Sequence, residues 1–177
     1  SSHAMPFVYT KSKGKYDNFA AATLTQIYEP AKLKTSLTQT ANDLDSLVMI
    51  NDGEGKFDLV ALPHLAQVSP GFGIALSDVD LDGLPDCYLV HNFFTAQEET
   101  GAMDSGLSLL LKGTGDPSNP FTEVWPKESG LEVPGDAKSL ATVDVNLDGM
   151  EDFIVGNNDS SPQIFLNRKV NENTHPI

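Results

Sequence analysis

The sequence predicts a mainly β protein built from short antiparallel strands in repeated units, preceded by a helical pair. Three observations predict it. From about residue 41 onward, apolar runs of four to six residues alternate with Gly, Pro, Asn and Asp, the pattern of short strands and tight turns. A nine-residue acidic segment occurs twice, at residues 78–86 and 144–152, 66 residues apart. Helical periodicity is confined to one stretch, residues 17–39.

In that stretch Ala20, Leu24, Ile27 and Tyr28 fall on one helical face, with Asp17 or Asn18 available as N-cap. Pro30 interrupts it and suits the first turn of a second short helix bearing Leu33 and Leu37. The strands expected next are residues 46–50, 57–62, 73–77, 87–90, 107–111, 121–125, 140–143, 153–155 and 164–166. Residues 1–5, Ser-Ser-His-Ala-Met, read as a vector-derived remnant and are set aside. The division expected is therefore 6–40 as a helical extension or insertion and 41–177 as β-repeats.

Each acidic segment has an apolar run before it and another after it, and the flanks align: Ala75 with Ala141, Asn92 with Asn158. A hairpin-like stretch follows the first copy, from Leu107 through a Gly- and Pro-containing turn to Phe121, and a similar one precedes it, turning at residues 51–55. The unit is two strands joined by an acidic loop and then a two-stranded hairpin. Four strands per unit at this period is a propeller-blade pattern.

The 177 residues carry 11 basic and 25 acidic side chains, a net charge of −14. Lys and Arg are scattered singly, which argues against nucleic acid, and no apolar run approaches the ~20 residues of a spanning helix. A hydrophobic content of 40% is enough for a packed core. Self-repulsion of that size opposes compaction, and bound cations are the simplest remedy.

The acidic segments supply such sites. Oxygen side chains at offsets 0, 2, 4 and 8, with Gly at offset 5, converge inside a tight turn on one hard cation, and Ca²⁺ takes six to eight oxygens. In the first loop Asp78, Asp80, Asp82 and Asp86 offer side chains and Leu84 its carbonyl; in the second, Asp144, Asn146, Asp148 and Asp152 do so, with the carbonyl of Met150. Gly83 and Gly149 are expected where a Cβ would clash. Two calcium sites follow, the second weaker because Asn146 removes one negative charge. An EF-hand requires Glu at the twelfth position and flanking helices; here the twelfth residues are Leu89 and Val155, within apolar runs. The turn at residues 51–55 lacks acidic residues at offsets 4 and 8 and reads as a plain hairpin.

Phe72-Gly73-Ile74-Ala75 followed by the first loop, and residues 139–158 around the second, resemble FG-GAP repeats, also catalogued as VCBS repeats, of integrin α-subunit propellers and secreted bacterial proteins. The hairpin turn at 51–57 and the segment Ile164-Phe165-Leu166-Asn167-Arg168 resemble other parts of the same repeat, so the likeness covers residues 45–168. It implies structural calcium between the first two strands of each blade, in a protein that is extracellular, cell-surface or periplasmic. A family propeller implies about seven blades, so the chain is expected to be a fragment of two to three.

Other residues read more plainly. Cys87, the one cysteine, excludes an internal disulfide and suits a core position. His64, His91 and His175 are dispersed, and no Gly-x-Ser-x-Gly elbow surrounds any serine. Tyr88, Phe93, Phe94 and Trp125 are expected to pack between blades, with Phe93-Phe94 an alternative contact surface. The function expected is a calcium-binding module recognising a protein or glycan. A structural spacer and a fragment of a carbohydrate-active propeller enzyme stay open as alternatives. Expected partners include further blades of the parent protein and self-association through exposed strand edges.

Overall fold

The computed structural model describes residues 6–96 and 100–168; the leading five residues, and residues 169–177 with His175, lie outside the described residues. The chain divides into two compact units, Ser1–Leu44 and Asp45–Ile177.

The first unit holds four short helices, α1 (Pro6–Lys11), α2 (Tyr16–Ala20), α3 (Leu24–Ile27) and α4 (Pro30–Lys34), and not the expected pair. No residue in any of them is buried. The anticipated long face breaks because Thr23 starts a helix of its own: its N–H donates to the Gln26 side chain (2.7 Å), half of a capping box. Asp17 sits in the first turn of α2 and not at its cap, which is Lys15. Pro30 does open α4, whereas Leu37 lies beyond it at 86% exposure.

The second unit contains all nine expected strands: β1 (Leu47–Asn51), β2 (Phe57–Ala61), β3 (Gly71–Ser77), β4 (Asp86–His91), β5 (Leu109–Gly113), β6 (Phe121–Val124), β7 (Ala137–Val143), β8 (Asp152–Asn157) and β9 (Gln163–Phe165). A short helix not foreseen, α5 (Pro126–Ser129), follows β6. The strands pair antiparallel with their sequence neighbours in three sheets, β1-β2, β3-β4-β5-β6 and β7-β8-β9. Four strands occur only in the middle sheet, and the described residues close no ring. No helix among them is long and apolar enough to cross a membrane.

Strand β4 is buried at all six positions because both faces of its sheet are covered. Tyr88 and Val90 point one way, packing with Leu131, Val133, Ala137, Phe153 and Val155; the Tyr88 and Phe153 rings stand 4.9 Å apart. Cys87 and Leu89 point the other way, into a cluster with Ala66, Leu109, Leu111 and Phe121, against which Val48 and Leu62 pack. Burial pushes the Cys87 thiol up to about 11, so it stays protonated and inert, as a core cysteine. Tyr88 is an inter-sheet residue as expected, but Trp125 is not: it is 57% exposed.

His91 ends β4 fully buried, and neither ring nitrogen has a hydrogen-bond partner. Burial pushes its pKa below 6.5, opposed by the Ala66 backbone beside it. The unfolded chain takes up a proton near pH 6.5 that the folded chain refuses, so stability should fall as pH drops below that value. Denaturant melts at pH 7 and 5.5 check this: the loss should shrink in His91→Gln, and an equal loss in both proteins would refute it.

The C-terminal end of β4 is held by Asn92, buried and left-handed at φ 89°. Its Oδ1 accepts from Ser69 Oγ (3.0 Å) and Gly106 N–H (2.9 Å), and its Nδ2 donates to the carbonyls of Gly106 (2.7 Å), Gly135 (3.1 Å) and Pro134 (3.3 Å). One side chain thus ties β4 to the loops before β5 and before β7.

Candidate metal centre

Residues 78–85 join β3 to β4, and residues 144–151 join β7 to β8. The two loops fold on the same hydrogen bonds. Asp78 accepts the N–H groups of Asp82 (3.0 Å) and Gly83 (2.9 Å), and Asp144 those of Asp148 (3.1 Å) and Gly149 (2.9 Å). Asp80 Oδ1 and Asn146 Oδ1 share the Asp82 and Asp148 N–H groups. Asp82 and Asp148 accept from Leu84 and Met150, each at 2.9 Å. Oxygen side chains at alternate positions therefore turn inward to satisfy a backbone that has left its strand.

The ninth-position carboxylates close the loops and are buried. Asp86 accepts Val79 N–H (3.0 Å) through Oδ2 and Gly113 N–H (2.8 Å) through Oδ1. Asp152 likewise accepts Val145 N–H and Asn167 N–H, both at 2.8 Å. Asp86 thus fastens its loop to the last residue of β5, and Asp152 fastens its loop to the chain two residues past β9. Gly113 allows this approach, since a Cβ there would lie 2.5 Å from the Pro85 carbonyl oxygen.

Gly83 and Gly149 serve a different reason from the clash expected. Apart from the adjoining residues, no atom lies within 4 Å of the place a Cβ would take, and the requirement is their left-handed backbone, φ 88° and 86°. Leu81 and Leu147 share that region at φ 62° and 61°, a strain the motif did not signal and the surrounding carboxylate bonds hold in place.

The loops differ at their mouths. In the first, ligand atoms of Asp78, Asp80 and Asp86 lie within 4.8 Å of one another, the one such group among the described residues. The Lys112 ammonium of β5 pairs with Asp80 Oδ2 and lies 3.3 Å from Asp82 Oδ2. The Lys112 side chain holds the Asp80 carboxyl below its usual range, and Asp80, then Asp82, raises the lysine in return. In the second, no lysine approaches within ion-pair distance among the described residues, and Asn146 Nδ2 donates to Asp148 Oδ2 (2.9 Å). The side chain of Leu84 lies over Gly113 and Gly115, while that of Met150 is buried.

No family model, no curated protein and no solved structure matches this chain. Its chemistry must be read from its own residues. All-carboxylate and carbonyl donors suit hard cations such as Ca²⁺, Mg²⁺ or Mn²⁺ and not thiophilic metals. The converging Asp78, Asp80 and Asp86 fit such an ion, with Asp82 beside them.

The turn at residues 51–55 is built differently. Asn51 Oδ1 accepts Gly53 N–H, and Asp52 accepts those of Glu54 and Lys56, bonds that lower the Asp52 pKa. These bonds account for the turn as a hairpin. Lys112 escaped the sequence reading altogether. It stands 32 residues from Asp80, and only the β4–β5 register brings them together.

Proposed function

We propose that residues 45–168 form a calcium-binding repeat module of FG-GAP/VCBS type from an exported protein, in which loop-bound calcium stiffens successive sheets that recognise a protein or glycan. The observation that carries the reading is the pair of loops, 66 residues apart, whose oxygen side chains repeat the same set of backbone bonds. Calcium would be held by Asp78, Asp80, Asp82 and Asp86 with the Leu84 carbonyl, and by Asp144, Asn146, Asp148 and Asp152 with that of Met150, as a structural Lewis acid neutralising clustered carboxylates.

Sheet stacking supports the repeat reading. The face of β4 bearing Tyr88 and Val90 is buried against the third sheet. By the repeat offset, Ile154 and Gly156 of β8 occupy the matching positions. On that face Ile154 and Gly156 are half-buried, and Ala141, Val143 and Ile164 are exposed. An apolar face of this kind suits a further sheet, in a parent chain or a second copy.

The test is a melting experiment in EDTA and in millimolar Ca²⁺. A site filled at 100 times its Kd adds roughly 2.7 kcal/mol by mass action, and Asp82→Ala should remove most of the first loop's share. Identical melting with and without chelator would sink the stabilising role.

A further inference from the structure

The two loops share one backbone plan, yet one position beside them differs in charge. Cys87 pairs with Leu111 and Phe153 with Phe165, so Lys112 stands opposite Asp86 where Leu166 stands opposite Asp152. The next residue in each case, Gly113 or Asn167, donates to the closing carboxylate. Lys112 and Leu166 are therefore structural equivalents, and among the described residues only the first loop carries an ammonium at its mouth. That ammonium pairs with Asp80 and Asp82, two of the four carboxylates available to a cation.

We propose that Lys112 is the built-in counter-ion of the first loop, holding Asp80 and Asp82 together in the absence of metal and lowering that loop's calcium affinity by competing for them. The inference rests on the calcium reading above. It also revises the order expected from Asn146. Four carboxylates with one ammonium and three carboxylates with one amide both carry a local charge of −3, so the extra aspartate does not by itself make the first site tighter. The lysine is solvated, and its pairing with Asp80 is the reversible kind that a divalent ion displaces.

Calcium titration by calorimetry tests this once the loops are separated: Asp148→Ala leaves the first loop to be read, and Asp82→Ala the second. In the Asp148→Ala background, Lys112→Gln should tighten calcium binding about tenfold, the effect of removing a unit charge a few Å from a divalent ion. Lys112→Arg, which keeps the charge, should leave the affinity unchanged. In the Asp82→Ala background, Leu166→Lys should weaken the second loop by a similar factor. A readout without metal accompanies these. In EDTA, Lys112→Gln should melt below the wild type and Lys112→Arg with it, and saturating Ca²⁺ should abolish the difference. Unchanged first-loop affinity in Lys112→Gln, or unchanged melting in EDTA, overturns the proposal. If neither wild-type loop binds calcium at millimolar concentration, the calcium reading fails and the claimed competition with it; EDTA melting of the two Lys112 variants then decides the counter-ion role alone.

Discussion

Replacing Asn92 by alanine should cost roughly 3–5 kcal/mol and lower the melting temperature by more than about 10 °C. The change strips partners from the buried Ser69 and Gly106 and from the carbonyls of Pro134 and Gly135, in the loops around the end of β4. It also places a Cβ-bearing residue without a compensating amide at φ 89°. Asn92→Gly separates these causes: it relieves the backbone and still loses the bonds, so it should recover about 1 kcal/mol of the loss. The repeat equivalent, Asn158, is exposed, and among the described residues its side chain reaches Asp136 Oδ2 alone, at 3.2 Å. Asn158→Ala should therefore cost under about 1 kcal/mol. Chemical denaturation of the three variants checks the ranking, and equal losses at Asn92 and Asn158 would refute the network argument.

Asp152→Ala is the second large effect, roughly 2–5 kcal/mol, because two partly buried backbone N–H groups, of Val145 and Asn167, lose the fully buried carboxylate that accepts them. Measured in EDTA, the loss belongs to hydrogen bonding and not to metal. Asp152→Asn keeps the shape and one acceptor oxygen but turns an amide NH₂ toward the other N–H, so it should recover only part of the stability. A loss confined to calcium-containing buffer would show that Asp152 matters as a ligand and not as a clamp.

The acidic loops and Lys112 meet at the same part of the fold. Asp86 and Asp152 fasten each loop to the end of β5 or to the chain just past β9, so an ion in the loop would bias how that strand is held. Strand pairing and ion binding would then be linked equilibria.

The strands were legible because period-two burial and turn residues are local signals. β4 was the hardest, since burial on both faces erases alternation, yet Asp86 and Asn92 bounded it closely. The helical segment was misread because periodicity at Leu24, Ile27 and Tyr28 suggests a face, while Thr23 and Gln26 form a start signal in the middle of it. None of these helices buries a side chain, so local capping, and not packing, set their limits. Trp125 reads as a packing residue by its size alone, and its exposure depends on where α5 turns the chain.

The amino-acid sequence by itself marked where the nine strands and the two acidic loops lie, because apolar runs, turn residues and the bonds from Asp78 and Asp144 to the next few N–H groups are all signals of short sequence range. Tertiary structure alone decided which equivalents are equal. It set the Lys112 ammonium against Asp80 where the second loop has the aliphatic Leu166 at the equivalent register position, and buried Asn92 while leaving Asn158 in water. The physical reason is that charge pairing and desolvation depend on what the fold brings alongside a residue, from strands tens of positions away, and a repeated motif carries no record of its neighbours.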